Sequence, residues 1–165
     1  MIKILFVILL LSLSLCSFAQ DGRCSAKLEH RQFDFWVGDW DVLDDDQKVA
    51  ESSIQRIIDG CVIYENYTQA DGYTGKSFNF YDSHLRKWRQ TWVDANGMAS
   101  EFAGEFKEGV LRYEGESHFP DGKKALRRMT FFRLETDRVR QYSEISRDDG
   151  KTWHPHYDLI YVRKE

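Results

Sequence analysis

The chain has 165 residues and a formal net charge of −4, with no basic block, which sets aside nucleic acid and an anionic membrane surface as partners. Aromatic residues make up 15% of it and there are only two prolines. Bulky aromatic and β-branched residues suit pleated, half-buried surfaces, so the composition favours an all-β domain over a helical one.

Residues 1–19 read as a signal peptide: Lys3, an unbroken apolar run, then Ser17-Phe18-Ala19 ahead of the cleavage point. The run is too short for a comfortable membrane span, so no stable transmembrane segment is expected after processing. Leu13-Ser14-Leu15-Cys16 loosely resembles a lipobox, but leucine directly before the cysteine fits it poorly. A periplasmic or secreted protein is therefore expected ahead of an outer-membrane lipoprotein. Removing this leader takes Lys3 with it and moves the charge to −5. Residues 20–165 suit a single domain.

Cys24 and Cys61 remain after cleavage. In an oxidising compartment such a pair commonly forms a disulfide, worth roughly 3–4 kcal/mol in the loop-entropy picture. Two separate buried thiols are the alternative. The next stretch, residues 25–32, is the only plausible helix, a turn or two with Leu28 facing inward.

From Gly38 the text changes to short runs with turn signals between them. Strands are expected near residues 39–44, 49–58, 61–67, 75–82, 87–94, 99–106, 110–116, 124–134, 138–146 and 156–163. Asp44-Asp45-Asp46, Asp59-Gly60, Asp71-Gly72, Asp94-Ala95-Asn96-Gly97, Glu108-Gly109, Asp121-Gly122 and Asp149-Gly150 punctuate them. Alternation marks half-buried strands: Trp88, Gln90 and Trp92 share one face, Phe102 and Phe106 oppose Glu101 and Glu105, and Leu111 and Tyr113 oppose Arg112 and Glu114. About ten hairpin-linked strands in one small domain manage their edges best by closing into an antiparallel meander barrel.

Gly38-Asp39-Trp40 has the G-x-W spacing found on the first strand of lipocalins and related calycin barrels. That resemblance implies a glycine turning the chain into the strand and a short N-terminal helix closing one end. It also implies a tryptophan plugging that end beneath an arginine from the last strand, here Arg163. HRQFDFWVGDWDV, DGCVIYENY, GYTGKSFNFYD, KWRQTWVDANG and SRDDGKTW together resemble the DUF1579-type family of exported bacterial proteins, over essentially the whole chain from Cys24 onward. Such a resemblance implies a calycin-like barrel and carries no reaction or catalytic residues.

Ser146-Arg147-Asp148-Asp149-Gly150-Lys151-Thr152-Trp153 fits the Asp-box pattern of sialidases. Those repeat the box on several blades of a longer chain, so a single copy reads as a structural hairpin. Of the five histidines, His154 and His156 stand two apart on the last strand, but no Cys, Asp or Glu arrangement completes a metal site; exposed loop histidines are expected. The chain also resembles the haem-binding nitrobindin barrels in size and fold, and in that comparison His156 would be the iron ligand. The glycine-rich continuation those barrels carry after G-x-W is replaced here by Asp41-Val42-Leu43-Asp44, so no cofactor is the expectation and haem binding is kept as an alternative. Glu65, Glu144 and Asp94 are isolated acids and read as solvated. No Ser-His-Asp order or P-loop occurs, and no catalytic residue is assigned.

Function, on this reading, lies in the barrel interior. Trp88, Gln90 and Trp92 form the best-defined inward row, and a glutamine between two tryptophans is odd for a purely packed core because its amide must find partners. A collapsed aromatic core with Gln90 bonded to another side chain or a buried water is the alternative. Phe78, Phe80, Phe102, Tyr113 and Tyr142 are candidate neighbours, with Arg128 or Arg140 to meet an acidic headgroup. The expectation is a non-enzymatic binder of a small apolar or amphipathic ligand. The other reading is an interaction module that uses the barrel as a scaffold.

Overall fold

Ten antiparallel strands follow one another along the chain and close on themselves in the computed structural model, which describes residues 24–119 and 122–165. They are β1 (Gly38–Asp44), β2 (Gln47–Ile57), β3 (Val62–Gln69), β4 (Thr74–Asp82), β5 (Lys87–Asp94), β6 (Ala99–Lys107), β7 (Val110–His118), β8 (Lys124–Arg133), β9 (Arg138–Ser146) and β10 (His154–Arg163). Each strand pairs with its sequence neighbour and β10 returns to pair with β1, so no edge is left to template aggregation. The all-β, ten-stranded meander barrel expected from the sequence is the architecture observed. Residues 1–23, which include the stretch expected to be a leader and Cys16, lie outside the described residues, as does Asp121 of the Asp121-Gly122 turn.

Local chemistry sets the hairpins. Glu108 and Gly109 take φ of 54° and 77°, the left-handed pair of a two-residue turn whose twist matches its strands. Between β4 and β5 no glycine is available. There Asp82 Oδ1 accepts hydrogen bonds from the amides of His84 (2.9 Å) and Leu85 (3.0 Å), and Arg86 adopts φ 54°.

Before β1 the chain makes three short 3₁₀ turns, Cys24–Ala26, Leu28–Arg31 and Asp34–Trp36, rather than one helix. Leu28 is 84% exposed, not inward as expected. The tighter winding, three residues per turn, presents a different face, and His30 is the side chain that goes in. Its Nε2 lies 3.1 Å from Ser83 Oγ and its ring meets the edge of Tyr81, so one of the five histidines is neither exposed nor solvated. Cys24 and Cys61 form the disulfide that ties this segment to the β2–β3 turn, with Cα atoms 5.5 Å apart.

The same segment supplies a stopper. Phe33, Trp36, Trp40 and Phe131 are wholly buried; Phe33 stacks on Trp36 at 4.9 Å between centroids, and Phe131 packs 4.8 Å from each of the two. Trp40 Nε1 donates to the Trp36 carbonyl at 2.8 Å, so burial strands no indole proton at that position. Across the β1–β10 seam Arg163 stands opposite Trp40, its guanidinium 4.2 Å from the indole centroid, and donates to the Val37 carbonyl at 3.1 Å. Gly38 has φ +145°, and a Cβ there would overlap the Arg163 guanidinium. Glycine at this position is what lets the arginine lie down over the tryptophan.

Candidate functional site

Above the stopper the barrel interior changes character twice along its axis. The inward row of β5 samples all three levels. Trp88 is 1% exposed, packs against Phe33 and donates from Nε1 to Gln32 Oε1 at 3.0 Å, so it belongs to the stopper. Gln90 is buried at mid-height. Trp92 lines an open cavity.

The middle level is a belt of hydrogen-bonded polar side chains. Gln90 Nε2 donates to Asn79 Oδ1 (2.8 Å), which also accepts from Tyr113 Oη (3.2 Å). Asn79 Nδ2 in turn donates to Ser77 Oγ (2.9 Å) and to the Ile63 carbonyl (3.3 Å). Ser77 Oγ donates to Glu65 Oε2 at 2.9 Å, and Ser52 Oγ donates to Glu65 Oε1 at 3.0 Å. Tyr161 Oη lies 3.3 Å from Glu65 Oε1 and 2.8 Å from Gln141 Oε1. Gln141 Nε2 reaches Tyr157 Oη at 3.1 Å. The belt therefore joins β2, β3, β4, β5, β7, β9 and β10, and polar groups hidden from water are paired with one another.

Glu65 is the titratable centre of this belt. It is 3% exposed, and burial pushes its carboxyl up to about 7, against the opposing pull of the Ser77, Ser52 and Tyr161 hydroxyls. The sequence reading of Glu65 as a solvated acid is thus overturned. Its neighbours Ile63 and Tyr67 point the same way, and that alternation was the signal available for it. Asp94 is also engaged: Tyr73 Oη donates to it at 3.0 Å, and the amides of Asn96 and Met98 bind its other oxygen.

Beyond the belt the barrel opens into a cavity of about 1040 Å³. Its walls include Tyr67, Trp92, Phe102, Met129, Tyr157 and Leu159, with Glu65, Gln90 and Gln141 beneath. Trp92 lies flat across Gly75, where a Cβ would overlap the indole. Arg127 stands in one wall. Its Nε and Nη2 donate to Ser143 Oγ at 3.3 and 3.2 Å, its Nη1 donates to Ser117 Oγ at 3.3 Å, and the rings of Phe102 and Tyr157 lie 5.8 and 5.5 Å from the guanidinium.

Five expected cavity residues lie on the outer face of the barrel. Phe78 and Phe80 face outward, Phe78 against Tyr64 at 5.3 Å, because Ser77 and Asn79 take the inward positions of β4. Arg140 is outside, clamping Asp158 with two 2.7 Å bonds above Tyr142, which is outside as well. Arg128 lies 3.8 Å over the Trp153 ring and 3.5 Å from Glu114 on the outer face. Tyr113 does point inward but sits at belt level, 6.2 Å from Phe131 and below the cavity. Phe102 is where the sequence expected it.

His156 occupies the extra position of a β-bulge between Pro155 and Tyr157, at the cavity mouth. Crowding at the rim and the Arg127 and Arg147 charges push its imidazole down to about 4, although much of the residue still meets solvent. Among the described residues no three His, Cys, Asp or Glu side chains group so as to hold a metal ion, and no helix is long and apolar enough to cross a membrane. The Asp-box stretch is a self-contained hairpin. Ser146 Oγ donates to Asp148 Oδ1, Thr152 donates to the same carboxyl from Oγ1 and from its amide, and Trp153 Nε1 donates to the Gly150 carbonyl.

A closed barrel, stoppered at one end and open at the other into a cavity floored by a polar belt, defines the class of protein this is. No protein-family model matches the chain, and no curated protein matches it.

Proposed function

We propose that this is an exported, lipocalin-like binding protein that holds a small apolar or amphipathic molecule inside its barrel and performs no chemistry on it. The observation that carries the reading is the cavity itself: about 1040 Å³, sealed below and open above, with aromatic and aliphatic walls. Ligand sites are built this way, from a mostly apolar concavity with a few fixed polar groups, and this volume is at the upper end of their usual range of roughly 300–1,000 Å³. The belt supplies the fixed polar groups, with Glu65, Gln90 and Gln141 beneath the cavity. The disulfide and the leader-like first residues support export, as does the resemblance to the DUF1579-type family.

Native mass spectrometry of protein isolated from its own compartment tests the reading, followed by equilibrium titration with fatty acids, retinoids and haem. A copurifying small molecule, or a panel member binding below about 100 μM (roughly −5.5 kcal/mol), is the expected result. An empty protein that binds none of the panel would end the carrier reading.

A further inference from the structure

Taking the cavity as a ligand site, we propose that it selects amphipathic organic anions, with a single acidic head on Arg127 between Ser117 and Ser143 and an apolar body against Trp92, Phe102 and Met129.

The argument starts from how Arg127 is satisfied. Among the described residues it is the one arginine that lines the cavity. Its hydrogen bonds go to two neutral hydroxyls, at 3.2 to 3.3 Å, with no carboxylate of the described residues within ion-pair distance. Charge-assisted bonds run about 2.7–2.9 Å, and Arg140 on the outer face shows that geometry in this same molecule, two 2.7 Å bonds to Asp158. Arg127 is thus a half-buried cation, steadied by two serines and two aromatic faces, with donor capacity unused. A cation removed from water gains most from an anion that fills those donors.

The acids of the same cavity do not fill that place. Glu65 is enclosed by Ser52, Ser77 and Tyr161, Asp94 by Tyr73 and its own turn amides, Asp71 accepts from the Tyr73 amide, and Asp44, the fourth, makes no ion pair with Arg127. At His156 the charges of Arg127 and Arg147 act together, so that side of the mouth favours an anionic head, while Asp44, Asp71 and Asp94 also line the cavity. The two aromatic faces that flank the guanidinium, Phe102 and Tyr157, also belong to the apolar wall, so a head on Arg127 places its tail directly along that wall.

The test compares decanoate, decanol and decylamine, which share a tail and differ in the head, by calorimetric titration of the full chain at about pH 6.5, where the acid is ionised and Glu65 is largely neutral. Decanoate is expected to bind at least about tenfold tighter than decanol, with decylamine weakest, as a charge-assisted bidentate contact requires. In Arg127→Gln the acid-over-alcohol preference should shrink to about threefold or less while decanol affinity holds; Arg128→Gln, on the outer face, should keep the preference. Should Arg127→Gln not fold, the three-ligand series on the unaltered protein decides alone. Equal binding of decanoate and decanol overturns the anionic-head assignment but leaves the carrier reading standing. If none of the three binds, the anionic-head assignment falls, and the carrier reading is then decided by the retinoids and haem of the wider panel.

Discussion

Glu65 Oε1 and Tyr161 Oη meet at 3.3 Å inside the barrel, and the tyrosine has one proton for two acceptors. The shorter contact, 2.8 Å to Gln141 Oε1, is the better use of it. A protonated Glu65 resolves the conflict, because its own hydroxyl can then donate to Tyr161 Oη while Tyr161 donates to Gln141. An ionised Glu65 instead draws the tyrosine proton and leaves Gln141 short. The belt is thus best satisfied with the carboxyl neutral, in line with a carboxyl pushed up to about 7.

This has a signed consequence for stability. The folded-state value of about 7 lies above the ordinary 4.5, so between these limits the native state holds more protons than the unfolded chain. Stability from this group therefore falls as pH rises from about 4.5 through 7, by on the order of 3 kcal/mol. His156, held down to about 4, works in the opposite direction below about 6.5, its contribution lost as pH falls. Glu65→Gln separates the two. The variant should match the parent near pH 5 and exceed it by about 2–3 kcal/mol at pH 8, read from urea unfolding at each pH. Parallel pH profiles for parent and variant would remove Glu65 from the account.

The stopper makes a graded prediction. Trp40 is wholly buried among Trp36, Tyr161 and Arg163, so Trp40→Ala should cost about 3–5 kcal/mol. Arg163→Ala loses one stacked cation and one bond to the Val37 carbonyl, which places it lower, at about 0.5–2 kcal/mol. A urea series on both variants reads the order. A loss under about 1 kcal/mol for Trp40→Ala would mean the end is closed by something else.

Opening the Cys24–Cys61 bridge by replacing both cysteines with serine should lower stability by about 3–4 kcal/mol, since the bridge closes a loop of 37 residues. Because the 3₁₀ segment it anchors carries Phe33 and Trp36 into the stopper, proteolysis before β1 should accelerate first. Equal protease resistance with and without the bridge would show the aromatics hold the segment unaided.

Strand positions were legible because Asp-Gly and Asn-Gly turns and alternating bulk are local signals, and the barrel followed from having ten of them. Which face of each strand points inward was not. In Phe78-Asn79-Phe80 bulk argues for the phenylalanines, yet the belt needs Asn79 and the phenylalanines go outside. The same one-residue parity separates Arg127 from Arg128 and Gln141 from Arg140 and Tyr142. A barrel whose middle is polar inverts the assumption that bulk lies within. Hairpin register holds the missing information: Trp88 pairs with Tyr81 and Gln90 with Asn79, so accepting the β5 row as inward also turns Asn79 and Ser77 inward.

Gly75 offers a way to change the cavity without touching the stopper or the belt. Trp92 lies over it, and a methyl group there would overlap the six-membered ring of the indole. Tyr67 stands 6.0 Å away at an edge and Ser77 faces Trp92 across the β4–β5 pair, while the cavity that Trp92 lines offers the ring open space. Gly75→Ala should therefore push Trp92 into the volume a ligand would use. Because an accessible wall gives way more readily than a packed core, the stability loss should stay at or below about 1–2 kcal/mol. Tryptophan emission should shift as the indole meets different neighbours. Affinity for bulky panel members such as retinoids should drop more than affinity for a slender decanoate chain, since only the former need the full width. Titration of parent and variant with both ligands checks this directly: a uniform loss across the two would mean that the substitution disturbs the barrel as a whole, and no loss for either would place the bound molecule away from Trp92.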